Sequence, residues 1–164
     1  MHRLWAPWRR AYVEGASGAP NGCFLCEFPA AGDDRQHGIV WRWNHWYAIL
    51  NAYPYSNGHL MLALVRHEEG FVNLRSEEAS ELAPAMGQCE AAVRTAYEPQ
   101  GLNVGVNIGR AAGAGAVGHL HVHFVPRWNG DTNFMPVLAD IKVVSESLED
   151  TVLKLRRELA KLRI

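Results

Sequence analysis

Cysteine is scarce: Cys23, Cys26 and Cys89 are the only three in 164 residues. An odd, small number argues against a disulfide framework and suits a reducing compartment. No stretch reaches the ~20 consecutive apolar residues that a membrane-spanning helix needs. The opening "MHRLWAPWRRAYVEG" has no apolar core of a secretory signal, so a cytoplasmic protein without a membrane partner is expected. Charge of one sign is also missing. Sixteen basic residues face seventeen acidic ones, a net charge of -1. Such a chain has no overall positive field to hold a nucleic-acid backbone, and an anionic ligand would need a local site. Disorder is excluded by the 48% of hydrophobic residues, and the length suits a single globular core.

The chain divides near residue 37. Residues 1–37 read as an N-terminal arm: Trp5 and Trp8 dock it, a loop rich in Gly, Ala, Ser and Pro follows, and Cys23-x-x-Cys26 closes it. Docking alone and a role near the site are both open for the two tryptophans. Residues 38–164 read as the main domain. "IVWRW" and "WYAILN" are β-rich runs around a turn at Asn44–His45, and "HLMLALV" (59–65), apolar on both faces, predicts a central strand. Ser76 reads as an N-cap before Glu77 and Glu78, opening a helix to about Tyr97 that Pro84 should kink or restart. "GLNVGVNIG" (101–109) is a fourth strand and "RAAGAGAVG" (110–118) a glycine-rich loop. Val144, Leu148, Val152, Leu155, Leu159 and Leu162 form one stripe of a C-terminal helix. The order β-β-β-α-β-β-α, with short connections, predicts an α+β fold: an antiparallel sheet with its helices on one side.

"GHLHVHFVPRW" (118–128) carries the chemistry. Strand side chains alternate between faces, so His119, His121 and His123 share one face while Leu120, Val122 and Phe124 pack on the other. A half-exposed polar face is the plainest account, but three histidines in alternation after a glycine-rich loop exceed it. Neutral imidazoles can chelate a metal. A neutral imidazole is also a nucleophile that needs no general base, and its neighbours can donate protons to phosphate oxygens. The loop favours phosphate. Gly113, Gly115 and Gly118 let backbone N–H groups approach an anion, which a metal would not require.

These residues resemble the histidine-triad nucleotide hydrolases and transferases, whose signature His-φ-His-φ-His-φ-φ (φ apolar) is matched by His119-Leu-His121-Val-His123-Phe-Val. The stretches "LWAPWR", "ILNAYPYSNGHLML" and "GLNVGVNIGRAAGAGAVGHLHVHFVPRWNGDTNF" are similar to the diadenosine-tetraphosphate phosphorylase (ATP adenylyltransferase) branch. The resemblance implies a five-stranded antiparallel sheet with a middle and a C-terminal helix, a nucleotide substrate and a homodimer. It implies His121 as the nucleophile that becomes nucleotidylated, His123 on the phosphates and Asn51 on the ribose. Asn107 would line the phosphate site, and His59 is a further polar candidate. Gly113-Ala114-Gly115-Ala116 stands where the hydrolase branches carry Gly-Gln-Ser or Gly-Gln-Thr. That departure disfavours rapid hydrolysis.

Cys23 and Cys26 make half of a structural zinc site, with a redox pair or two inert thiols as rivals. Some members of the resembled family complete such a site with a histidine after the third strand and the first triad histidine, here His67 and His119. His119 would then position His121 rather than donate a proton. No organic cofactor is expected, and a divalent ion could accompany the substrate.

Overall fold

The computed structural model describes residues 22–131 and 145–162. Five strands form one antiparallel sheet in the order β1-β2-β3-β5-β4: β1 (Ile39–Arg42), β2 (Trp46–Leu50), β3 (Leu60–Leu64), β4 (Gly101–Val106) and β5 (His121–Arg127). The apolar run at 60–64 takes the centre, and every residue of β2 and β3 is buried. β5 inserts between β3 and β4, so the strand with the histidines is flanked on both sides and β4 becomes an edge.

Alternation in β5 gives the sheet its two characters. Leu120, Val122 and Phe124 join Trp46, Leu60, Leu62 and Leu64 in the main core. Two helices close that core: α2 (Ser76–Tyr97) contributes Ala85, Cys89, Ala92 and Val93, and α3 (Leu148–Lys161) contributes Val152, Leu155 and Leu159. Cys89 is inert there, because burial pushes its thiol far above the ordinary range.

The opposite face departs from the expected single helix layer. α1 (Phe24–Ala31) packs Leu25 against Tyr47, Ile49, Met61 and Ala63. The Tyr47 hydroxyl donates to the Leu25 carbonyl at 2.6 Å. The signal was present: Phe24, Leu25 and Phe28 mark one helical face, and Gly32 follows the helix in the left-handed conformation that glycine adopts without a Cβ penalty.

Three other expectations change. Arg75, not Ser76, precedes the first helical residue of α2, and its N–H donates to Glu78 Oε2 at 2.8 Å. Pro84 neither ends nor restarts α2: it and Ser80, the residue one turn earlier whose carbonyl it cannot pair, both lie on the exposed side of the helix. Leu148 opens α3 but is 43% exposed; Thr151 and Glu158 are buried beside Val152, Leu155 and Leu159 instead. Val144, Trp5 and Trp8 lie outside the described residues.

Candidate active site and metal centre

His121 and His123 sit in the middle of the sheet, opposite Ala63 and Met61 of β3. Their rings meet edge to face with centroids 4.9 Å apart. The main chain fixes what each nitrogen can do. The His121 Nδ1–H donates to the carbonyl of His119 at 2.7 Å, which leaves the Nε2 lone pair as its reactive atom. His121 is only 3% exposed, and burial holds its pKa below the ordinary imidazole value. A buried, neutral imidazole with an Nε2 lone pair is a nucleophile ready at neutral pH.

His123 is oriented by a second chain of bonds. The backbone N–H of Tyr55 donates to His59 Nδ1 at 3.1 Å, so Nδ1 is an acceptor and the His59 proton sits on Nε2. That Nε2–H faces His123 Nδ1 at 3.0 Å, which places the His123 proton on its own Nε2. Two neighbouring histidines therefore present opposite functions, a lone pair on His121 and a donor on His123. Sequence reading gave no signal for Tyr55, because a backbone N–H in a turn has no residue identity.

Asn51 is buried at the end of β2, with its N–H donating to the His59 carbonyl at 3.2 Å. Its Oδ1 caps the turn by accepting from the Tyr53 N–H at 2.9 Å. Asn107 follows the Val106–Val122 pair and lines a groove with His123. In the glycine-rich loop, Gly113 ends a short 3-10 turn (Arg110–Ala112) and Ala116 is buried against the α1 side of the sheet. Gly115 is half-buried between them. Gly118 has φ +81, and a Cβ there would lie 3.5 Å from His67 Nε2. The loop is thus anchored at its C-terminal end beside His67.

His119 precedes β5 and turns its ring toward α1. The donor atoms of Cys23, Cys26, His67 and His119 all lie within 4.8 Å of one another. Cys23 Sγ is 3.2 Å from His119 Nδ1; Cys26 Sγ is 3.4 Å from both His119 Nδ1 and His67 Nδ1. Tetrahedral zinc with its usual bond lengths separates neighbouring donors by about 3.3–3.8 Å. Burial and the adjacent Cys23 push the Cys26 thiol up to about 11, a repulsion that a bound cation would relieve. The His119 Nε2–H donates to the Leu64 carbonyl at 2.6 Å, which aims Nδ1 at the thiols. The donor set, the three S–N separations of 3.2–3.4 Å and the outer hydrogen bond fit zinc. Cys23 caps α1 and Cys26 lies in its first turn, so the Cys-x-x-Cys spacing places both sulfurs at one helix end.

The HIT domain profile matches residues 34–130. An AP-4-A phosphorylase of Mycobacterium tuberculosis is 36% identical over 98% of this chain and 86% of its own.

The chain belongs to the histidine-triad family.

The Bacillus subtilis protein hit is 30% identical over 68% of this chain and 75% of its own. A zinc-bound histidine-triad protein from Mycobacterium smegmatis superposes with a TM-score of 0.68 at 24% identity, covering 86% of this chain and 95% of that one. The five-stranded antiparallel α+β architecture is therefore the histidine-triad fold. Among the described residues, no helix is long and apolar enough to cross a membrane.

Proposed function

We propose that this protein is an enzyme that cleaves dinucleoside polyphosphates, converting diadenosine tetraphosphate and inorganic phosphate to ATP and ADP. One observation carries the reading: the His119 carbonyl holds the Nδ1–H of His121, so Nε2 is a preset nucleophile beside the Nε2–H of His123. The likeness to the M. tuberculosis phosphorylase over nearly the whole chain supports the substrate class.

In the first step His121 Nε2 attacks the α-phosphorus in line. A P–N bond forms, the bond to the bridging oxygen breaks, and ATP departs. Its oxygen is stabilised or protonated from His123 Nε2, or by solvent. In the second step an oxygen of inorganic phosphate attacks the same phosphorus. The P–N bond breaks, ADP leaves and the imidazole is restored. Asn51 holds the donor ribose; Asn107, with the N–H groups of Gly113, Gly115 and Gly118, faces the phosphates. The Gly-Ala-Gly-Ala stretch has no side chain to orient water, which favours phosphate as the acceptor. A divalent ion accompanying the substrate would screen the polyphosphate charge.

Cys23, Cys26, His67 and His119 are the proposed zinc ligands. Zinc bound there would supply a closed tetrahedral anchor and no open coordination position. The edge strand β4 is the proposed dimer face, with Val104 exposed on it and Ile108 exposed just beyond its end. The cytoplasm is the proposed location, where the thiols stay reduced.

Product analysis with and without inorganic phosphate tests the reading. ATP plus ADP formed only with phosphate is the expected result. ATP plus AMP, indifferent to phosphate, would replace phosphorolysis with hydrolysis. No cleavage would leave a nucleotide-binding protein.

A further inference from the structure

The site has two arms, and the donor arm occupies only one. Asn51 follows the last residue of β2, on the far side of β3 from β5, and α1 closes over β2 and β3 through Leu25. Over β5 and β4 the same face carries a groove of about 420 Å³. His123 stands at one end; Arg127, Asp131 and Asn103 stand at the other. The volume lies in the range of small-molecule sites, ~300–1,000 Å³.

The groove's two ends differ chemically. Among the described residues, the floor opposite His123 carries no side chain, because it is Gly105. Gly105 pairs directly with His123, so the two share a face, and among the described residues a Cβ at position 105 would meet nothing within 4 Å. The far end is polar but neutralised. Arg127 Nε and one terminal nitrogen bond both Asp131 oxygens at 2.6 and 2.9 Å, and its other terminal nitrogen donates to Asn103 Oδ1 at 2.9 Å. An arginine already paired to a carboxylate is a poor phosphate clamp. The pair and the adjacent amide suit the hydroxyls and ring nitrogens of an uncharged nucleoside. Four strand residues, about 13 Å, separate the two ends. A phosphate chain fits that span.

We infer that this groove is the subsite for the leaving nucleotide: its phosphates cross the open floor at Gly105 and its nucleoside rests against Asn103, Arg127 and Asp131. Resting on the proposed dinucleotide activity, the assignment makes Gly105 a specificity-determining residue, kept without a side chain so that a large leaving group can pass.

Gly105→Val and Asn103→Ala test this in two assays. One measures cleavage of diadenosine tetraphosphate. The other measures exchange of labelled inorganic phosphate into ADP, which uses the same donor site and His121 but has phosphate as the leaving group. Gly105→Val should lower kcat/KM for the dinucleotide at least tenfold and leave exchange within twofold, and the retained exchange reports an intact fold. Asn103→Ala should raise KM for the dinucleotide without altering exchange. Equal loss of both activities in Gly105→Val, or no loss of either in both variants, overturns the subsite. Wild-type protein inactive in both assays would instead remove the functional reading and, with it, the subsite.

Discussion

The carbonyl of His119 accepts the Nδ1–H of His121 at 2.7 Å, while the His119 ring reaches the other way, 3.2 Å from Cys23 Sγ. One residue therefore belongs to two centres. Its main chain sets the tautomer of the candidate nucleophile, and its side chain joins a Cys/His cluster whose donor set could hold a metal. A single peptide unit therefore links the candidate metal cluster to the candidate nucleophile.

Removing the nucleophile should leave the fold and the metal intact. His121→Ala is expected to lower turnover by about 10³-fold or more, as loss of a covalent catalyst does. The protein should no longer retain label from a substrate labelled at the α-phosphorus. Acid quenching followed by denaturing electrophoresis measures that label, and wild-type levels of it in the variant would assign the nucleophile to another residue.

Metal content separates the two centres. Elemental analysis should find one zinc per chain in the wild type and in His121→Ala, and little in Cys23→Ala. Cys23→Ala should also unfold at lower temperature, because a structural metal's binding energy is folding energy. Full zinc in Cys23→Ala would dismiss the four-ligand site.

His59 tests the orientation of His123. Without the Nε2–H of His59, the His123 ring loses the bond that keeps its proton on the outward nitrogen. His59→Ala should lower kcat by about 10–100-fold, below the full worth of a general acid because His123 remains. His59→Gln, whose amide can donate from a similar position, should recover part of that loss. A Gln variant no better than Ala would reduce His59 to a packing residue.

Acid should loosen the segment that presents His67. Glu78 is buried and accepts from Arg66 twice, at 2.9 Å each, and from the Arg75 N–H. Bonding to Arg66 lowers its pKa from 4.5 to about 2. A carboxylate depressed in the folded state stabilises above its ordinary value and loses that contribution as pH falls from about 4.5 toward 2. Glu78→Gln should cost on the order of 1–3 kcal/mol at pH 7 and flatten the stability profile through that acid window. Urea melts across pH measure both. Parallel wild-type and variant profiles would show that the pair contributes nothing.

Periodicity was a sufficient guide to most of the architecture. The central strand at 60–64 and the split of β5 into a histidine face and a core face follow from alternation, which is local. The stripe of α3 follows from helical spacing, except at Leu148, where the helix begins and packing no longer covers the side chain. α1 was missed although Phe24, Leu25, Phe28 and Gly32 signal it, because the glycine-rich stretch before Cys23 extended the loop reading into it. Pro84 was over-read, since a proline on a solvent face need not end a helix whose other face is buried. Asn103, Gly105 and Asn107 also alternate, so their shared face was legible; what that face opens onto was not.

By itself, the sequence determined the family, the strand of histidines, the alternation that buries Leu120, Val122 and Phe124, and the close spacing of Cys23 and Cys26. Those are properties of neighbours along the chain, set by covalent spacing and backbone period. Only the tertiary structure decided which nitrogen each histidine presents, because the partners are main-chain groups of His119, Leu64 and Tyr55 that carry no residue-specific signal. It alone brought His67 and His119 to the two thiols, across gaps of 41 to 96 residues. The sheet order that places β5 between β3 and β4 did this, setting the candidate nucleophile beside the metal cluster on one side and the open groove on the other.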